Sequence, residues 1–175
     1  MTSAQTLIAR PLDEAGFAPY GRVLQAPPAG SATEPMNQGT AQRLELVPDA
    51  RLGAEGDRPV LAWVRAQARA LPLQLELMER HRLGSQSFVP LAARLRFALV
   101  VARPGAAPAG GFAAADLAAF VTDGSQGVWL APGTWHHPLL ALETGDFLVI
   151  ERRSAQPDCD LAPLAGPLQL VLAQA

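Results

Sequence analysis

The histidines are the residues of this sequence that could most readily do chemistry. Three occur among 175 residues, and two of them, His136 and His137, are adjacent in the segment 127–138. The third, His81, lies far upstream in the segment 79–86. Imidazole changes its charge near neutral pH and also binds metal ions, so it can serve proton transfer or metal ligation. If the fold brings the two segments together, nearly all the imidazole chemistry of the protein converges at one site.

The residues around His81 have the spacing of side chains that share one face of a strand. Glu79 and His81 are two positions apart, and alternate side chains of a strand point the same way. Gln86 follows after a turn and could return to the same cavity on the next strand, where His136 or His137 would add a ligand. Adjacent residues of an extended segment point to opposite sides, which makes His136 the better candidate for the pocket. The predicted ligands of a divalent metal are Glu79, His81, Gln86 and His136.

Each of these residues also has an ordinary structural explanation. His81, beside two arginines, could be a surface residue, and Glu79 could be a solvated charge or an ion-pair partner. Gln86 could simply satisfy backbone groups in the interior. Trp129 and Trp135, which flank the Pro-Gly turn, are expected in the core rather than in a stacking platform. The metal-site hypothesis therefore depends on whether the two histidine segments meet.

Short strands separated by glycine and proline turns dominate the predicted secondary structure. Helix signals are limited to a short helix near 11–15 and a longer one at 113–121. This pattern indicates an all-β fold, an antiparallel barrel or sandwich, with a single domain over 1–175. Residues 1–9 are predicted as a first strand or an arm. The other predicted strands are 20–24, 43–47, 60–64, 74–79, 86–90, 94–101, 128–130, 139–142, 146–152 and 168–172.

The composition limits the classes of protein to which the chain could belong. Hydrophobic residues make up 49% and charged residues 17%, and a net charge of −2 gives no basic surface for nucleic acid. All fourteen basic residues are arginine, so a mechanism based on a lysine Schiff base is excluded. The single cysteine, Cys159, excludes an internal disulfide and is expected to be inert. No segment has the pattern of a signal peptide or a membrane span, so we expect a soluble cytoplasmic protein with no membrane partner.

The two histidine segments resemble the two-part motif of the cupin superfamily. In that motif a first part runs His-x-His, then Glu, then Gly, and a second part runs Pro-x-Gly-x-x-His. The residues that stand at the first part are Glu79, His81, Gln86 and Ala93. The residues that align with the second part are Ala131, Gly133 and His136, with Pro132 shifted by one position. These departures make the ligand set harder and richer in oxygen than the usual one.

Longer stretches resemble one family of that superfamily, the ureidoglycolate lyases, also called ureidoglycolate hydrolases. The specific stretches are 77–90, which contains Glu-Arg-His, and 134–139, which reads Thr-Trp-His-His-Pro-Leu. Shorter matches lie at 37–39, Arg43, 65–67, 120–127, 146–147, Arg152 and 158–160. The resemblance implies a cupin-like barrel (a double-stranded β-helix), a homodimer, and a divalent metal cofactor, nickel. It also implies cleavage of (S)-ureidoglycolate to glyoxylate and urea in allantoin breakdown.

The chemistry of this reaction suits the residues at hand. One carbon of ureidoglycolate carries a hydroxyl, a carboxylate and the urea nitrogen, so elimination needs a base at the hydroxyl and an acid at the nitrogen. The predicted catalytic residues are His81, His136, His137 and Glu79. Arginine binds a carboxylate with two hydrogen bonds, and Arg43 is the expected clamp, with Arg80 as second choice. The predicted substrate-binding residues are Arg43, Asn37, Gln86 and Arg80.

Other interpretations remain open from the sequence. Arg43, on an alternating strand, could equally be an exterior ion-pair partner. The protein could be another metal-dependent cupin enzyme, such as a dioxygenase or an isomerase, which would need firm iron binding. It could also be a non-catalytic cupin that binds a small acid, in which case a filled pocket would show no turnover.

Overall fold

Strands make up most of the secondary structure in the computed structural model, which describes residues 5–48, 50, 57–153 and 155–173. The helical elements are α1 (Glu14–Phe17) and two short 3-10 helices, Asn37–Gly39 and Ala114–Asp116. No helix of the described residues is long and apolar enough to cross a bilayer. The strands are β1 (Gln5–Pro11), β2 (Gly21–Leu24), β3 (Glu34–Met36), β4 (Ala41–Arg43), β5 (Arg58–Ala66), β6 (Leu73–Gln74), β7 (Leu77–His81), β8 (Gln86–Pro90), β9 (Phe97–Ala102), β10 (Ala118–Val121), β11 (Gly127–Leu130), β12 (Trp135–His136), β13 (Leu140–Ala141), β14 (Gly145–Arg153), β15 (Cys159–Pro163) and β16 (Leu168–Leu172).

Two curled sheets form the barrel. The larger sheet has nine strands in the order β15-β7-β12-β9-β10-β1-β16-β6, with β13 also paired to β9. The smaller sheet has five strands in the order β2-β11-β8-β14-β5, and a separate hairpin pairs β3 with β4. Most neighbouring strands are antiparallel, but β1 runs parallel to both β10 and β16. The predicted all-β, cupin-like barrel is confirmed, with parallel pairing of β1 as an addition.

The central strand of the nine-stranded sheet, β9, is apolar throughout and buried on both faces. Along β9, Phe97 and Val101 pack into a core shared with the five-stranded sheet, which we call the inner core. Ala98 and Val100 point the other way, into what we call the outer core. Each large apolar side chain buried in this way contributes roughly 1.5–3 kcal/mol to stability. Polar side chains on the inner face are therefore costly exceptions, and they mark the candidate site.

The helix predicted at 113–121 is wrong. Only Ala114–Asp116 forms a helical turn, which the Asp116 carboxylate closes by accepting from the Ala113 N–H at 2.9 Å. The strand β10 follows, and Phe120 is fully buried in it beside β9. The alanine-rich segment favours a helix locally, but strand pairing and burial of the phenylalanine outweigh that weak preference.

Two further predicted strands differ from the structure. The strand predicted at 43–47 is wrong beyond Arg43, where β4 ends. Leu44 and Leu46 are 44% and 41% exposed, because no sheet covers the apolar side of their alternating pattern. The strand predicted at 74–79 is divided, since β6 pairs with β16 whereas β7 pairs with β12 and β15. Alternation therefore identified extended segments but not their partners.

Candidate active site

The strand β7 divides its side chains between the two cores. Met78 is fully buried in the outer core, and Arg80 on the same side lies over the Trp135 ring at 4.4 Å. Glu79 and His81 point the opposite way, because alternate residues of a strand share a face. The structure thus brings Glu79 and His81 together on the inner face. Arg80, which was predicted to bind substrate, lies on the other face of the strand.

A turn delivers His136 to the same inner face. β11 ends at Leu130, and the following turn contains Gly133, whose φ of 83° favours glycine over other residues. The N–H of Gly133 donates to the carbonyl of His81 at 2.6 Å, which ties the turn to the end of β7. β12 then lies between β7 and β9, so that His136 pairs with Glu79. The two histidine segments meet, as the sequence predicted.

Glu79, His81 and His136 form a cluster, here called the triad, in which one candidate ligand atom from each residue lies within 4.8 Å of the others. The two imidazole centroids are 5.7 Å apart. Nε2 of His136 is 3.4 Å from Oε1 of Glu79. His136 is 1% exposed, whereas Glu79 and His81 are half-buried. The triad therefore reaches from the buried interior to side chains that are partly exposed to solvent.

Each imidazole of the triad uses Nδ1 for a backbone contact. Nδ1 of His136 lies 3.1 Å from the carbonyl of Thr134, and Nδ1 of His81 lies 3.1 Å from that of Asp158. A carbonyl only accepts hydrogen bonds, so we assign the proton of each neutral ring to Nδ1 and the lone pair to Nε2. Nε2 of His136 is buried without a hydrogen-bond partner among the described residues, since its contact with Glu79 lacks hydrogen-bond geometry.

The donor set of the triad fits a divalent metal ion. Two nitrogen lone pairs and a carboxylate that face one another repel unless a proton or a cation lies between them. Two imidazoles with one carboxylate are typical of divalent transition-metal sites. A ligating imidazole also commonly donates its other nitrogen to a carbonyl, as both rings do here. Three of the four predicted ligands thus form a group that could hold a metal.

The surroundings of Glu79 keep its carboxyl group ionised. Burial by itself raises the pKa of Glu79, but the contact with His136 and the potential of the three histidines outweigh it, and the pKa lies below its ordinary value of 4.5. Cys159 lies opposite His81 on β15, with Sγ 4.0 Å from Oε2 of Glu79. Burial and the neighbouring carboxylates raise the pKa of the Cys159 thiol, so it stays protonated at neutral pH.

His137 lies beside the triad but is not one of its members. Its Nδ1 is 2.9 Å from the carbonyl of Pro138. Burial lowers the pKa of His137, although the Pro138 carbonyl and the charges of Glu76 and Glu79 oppose the shift. His137 is therefore neutral at pH 7, and its predicted catalytic role stays a prediction. The expectation that His136 would be the better placed of the two histidines agrees with this geometry.

Gln86 approaches the inner core from the five-stranded sheet. Phe88, two residues along β8, has its ring 6.2 Å from that of His136, and alternation puts Gln86 on the same face. Nε2 of Gln86 donates to Oε2 of Glu151 at 3.1 Å. Glu151 was missed in the sequence, although alternation along β14 puts it on the same face as the buried Val149. The predicted roles of Gln86, as a metal ligand or a substrate-binding residue, stay predictions.

A buried ion cluster behind His81 was also missed. The Asp158 carboxylate accepts from the backbone N–H groups of residues 82–83 at 2.9 Å each, and it binds Nη1 of Arg152 at 3.2 Å. Arg152 also binds Asp57, and we call these three residues the Arg152 cluster. Their side chains are only 6% (Arg152), 8% (Asp57) and 11% (Asp158) exposed. The cluster fixes residues 82–83, which follow His81, while the Asp158 carbonyl contacts the His81 ring. No local sequence pattern indicates contacts between residues so far apart in the chain.

The β3–β4 hairpin carries Arg43, the predicted substrate clamp. Nη2 of Arg43 donates to Oε1 of Glu45 at 2.6 Å, and Nη1 lies 3.6 Å from Glu34; we call these residues the Arg43 cluster. The Arg43 side chain is 50% exposed. Asn37 starts the 3-10 turn of the hairpin with φ at 50°, and its carbonyl accepts from the Thr40 hydroxyl at 2.8 Å. None of these contacts joins the triad, and substrate binding by Arg43 and Asn37 stays a prediction.

Comparison with known proteins identifies relatives along nearly the whole chain. Residues 4–171 match the family model described as ureidoglycolate lyase. A ureidoglycolate lyase of Burkholderia cepacia is 43% identical over 165 residues, which cover 94% of this chain and 89% of that protein. One of Azotobacter vinelandii (strain DJ) is 40% identical over 151 residues, covering 86% of this chain and 87% of that protein. One of Pseudomonas fluorescens (strain Pf0-1) is 37% identical over 157 residues, covering 89% of this chain and 90% of that protein.

Proposed function

Because the chain belongs to the ureidoglycolate lyase family, we propose that it is a lyase that cleaves (S)-ureidoglycolate to glyoxylate and urea. The observation that carries the proposal is the convergence of Glu79, His81 and His136 on one inner face of the barrel. Such a reaction belongs to allantoin breakdown, the pathway by which cells recover nitrogen from purines. The substrate is a small polar acid, which suits a site at the edge of a packed barrel.

The reaction needs one proton to move from oxygen to nitrogen. The C–N bond of the carbinolamide breaks, the C–OH group becomes the aldehyde of glyoxylate, and the nitrogen leaves as urea. Glu79 holds the proton in transit at Oε2, since Oε1 faces His136. A carboxyl group with a lowered pKa returns its proton readily to a weakly basic nitrogen. For the first half of the transfer a bound divalent cation would lower the pKa of the hydroxyl, so that the Glu79 carboxylate could take its proton.

The triad also supplies the ligands for the expected metal cofactor. The residues that would hold the ion are Glu79 through a carboxylate oxygen, and His81 and His136 through Nε2. A divalent cation bound there, nickel by family resemblance, would lower the pKa of the substrate hydroxyl and balance its carboxylate. The buried Nε2 of His136, which has no hydrogen-bond partner among the described residues, supports this assignment. Phe88 and the inner core behind the triad exclude water from that side.

We further propose that the protein is a cytoplasmic homodimer. Leu61 and Trp63 on β5, the edge strand of the five-stranded sheet, are 67% and 64% exposed. An exposed apolar patch of this kind supports association with a second copy of the chain. The single cysteine supports a reducing compartment. Sedimentation at micromolar concentration tests the dimer, and Trp63→Arg should shift it to monomer.

The proposed reaction is tested by product analysis. The protein is stripped of metal, divided, and restored with nickel in one half, and both halves receive (S)-ureidoglycolate. We expect equal amounts of glyoxylate and urea, with faster release from the restored half. Glu79→Gln should abolish release, and Glu76→Gln, an exposed carboxylate three residues away, is the matched control. Release of ammonia instead of urea, or binding without turnover, would contradict the proposal.

A further inference from the structure

The amide of Gln86 presents a buried acceptor that nothing in the described part of the chain satisfies. Gln86 is 8% exposed, and its Nε2 donates to the Glu151 carboxylate at 3.1 Å. The reverse orientation would place two acceptors against each other, so this contact determines which end of the amide is oxygen. Oε1 therefore points away from Glu151, and it is buried with no hydrogen-bond partner among the described residues. A buried acceptor left unpaired is costly, which indicates that a ligand supplies the donor.

Glu151 is the second acceptor of the same pair. It is half-buried on the inner face of β14, and none of the ion pairs of the described residues includes it. Its carboxylate thus faces the barrel interior, and within the part of the chain that the structure describes its only hydrogen-bond partner is the Gln86 amide. A half-buried negative charge without a cation is stabilised by further N–H donors.

The pair lies at the same end of the barrel as the triad. Gln86 pairs with Leu130, the residue from which the turn to His136 departs. Phe88, on the same face as Gln86, has its ring 6.2 Å from the His136 ring. The pair and the triad therefore lie at the same end of the barrel, on its two facing sheets.

We propose that Gln86 and Glu151 form a subsite that accepts the N–H groups of the ureido half of the substrate. The inference rests on the proposed function and adds to it which residues recognise the leaving group. A ureido group offers an N–H and a terminal NH₂, which match an amide oxygen and a carboxylate that both only accept here. The Glu151 charge also repels the substrate carboxylate, so the substrate binds in one orientation, with its scissile C–N bond between this pair and the triad.

Two non-reacting analogues of the same shape test the subsite. N-carbamoylglycine keeps the ureido group, whereas N-acetylglycine has a methyl group in place of the terminal NH₂. Calorimetry with the metal-loaded full chain should show at least about tenfold tighter binding of N-carbamoylglycine, since a site built for N–H donors rejects a ligand that lacks them. Gln86→Leu and Glu151→Gln should each reduce that preference to about twofold or less.

Ser87→Ala is the matched control, because Ser87 is equally buried beside Gln86 but faces the other side of β8. It should keep the wild-type preference, and thermal melting checks that each variant is folded. The proposal is overturned if wild type shows no preference, or if Glu151→Gln retains it. If the Gln86→Leu protein no longer binds metal but keeps the preference for N-carbamoylglycine, Gln86 is a metal ligand instead.

The outcomes separate this inference from the proposed function. If wild-type protein releases glyoxylate and urea but the variants still prefer N-carbamoylglycine, the subsite is refuted and the lyase assignment stands. If wild-type protein releases neither product, but its preference for N-carbamoylglycine is lost on changing Gln86 and Glu151, the lyase assignment is refuted and the subsite stands.

Discussion

The Arg152 cluster and the Arg43 cluster have the same composition, one arginine with two carboxylates, but different environments. The Arg152 side chain is 6% exposed and its carboxylate partners are nearly as buried. The Arg43 side chain is 50% exposed, and its partners are more exposed still. The first cluster holds the segment that carries His81, whereas the second closes a hairpin at the surface.

The difference shows that an ion pair gains structural importance from burial rather than from its charges. An exposed pair is screened by water and contributes about 0–1 kcal/mol. Removing one partner from a buried cluster leaves an uncompensated charge, which costs about 3–5 kcal/mol. Of the two clusters, only that of Arg152 should therefore affect both stability and the geometry of the triad.

The largest effect is expected for Asp158→Ala. This change removes one of the carboxylates that bind Arg152, frees two backbone N–H groups, and should lower the free energy of unfolding by about 3–5 kcal/mol. Urea denaturation measures the loss, and kcat/KM for ureidoglycolate should fall because His81 is no longer held. Glu34→Ala, the matched change in the Arg43 cluster, should leave both quantities near wild type. Equal effects of the two changes would remove the distinction between the clusters.

Arg152→Lys should give a smaller but clear loss of stability. Lysine keeps the positive charge but cannot reproduce the planar fork that binds Asp57 and Asp158 together. Arg43→Lys is the matched control, and its urea midpoint should match that of wild type. If Arg152→Lys were as stable as wild type, charge alone would account for the cluster.

Arg43→Ala should change the free energy of unfolding by less than about 1 kcal/mol, because its ion pairs are exposed. If these ion pairs were the whole role of Arg43, kcat/KM for ureidoglycolate would stay at the wild-type value. The predicted role of Arg43 as the carboxylate clamp instead requires kcat/KM to fall, and this measurement decides between the two. A marked rise in KM with unchanged stability would establish that clamp and show that the hairpin changes partners when substrate binds.

The smallest effect is expected at the exposed pair of Arg65 and Asp146, which joins β5 to β14. A hydrogen bond from Arg65, with its charge, holds the pKa of Asp146 below its ordinary value of 3.8. As the pH falls, Asp146 is therefore protonated first in the unfolded chain. The stabilisation by this pair is complete above pH 3.8, and it is lost as the pH falls through the lowered pKa of Asp146 in the folded state. Arg65→Gln should lower Tm slightly at pH 7 and not at pH 2. A difference that grows toward acid pH would contradict this assignment.

Local alternation was enough to predict which residues of the triad share a face. The spacing of Glu79 and His81 predicted that both lie on one face of a strand, and the turn before His136 predicted that this residue points into the same site. These predictions hold because the period of two belongs to the covalent geometry of an extended chain. The resemblance to a family then connected the two segments, which no local rule could do.

The tertiary structure alone decided which side chains are buried together. It placed the end of the alanine-rich segment 113–121 in β10, it added β15 beside β7, and it buried Arg152 rather than Arg43. It also joined Gln86 to Glu151, which are 65 positions apart along the chain. These outcomes depend on strand pairing and burial between distant parts of the chain. The energies of those contacts exceed the local conformational preferences, and a local sequence pattern does not report them.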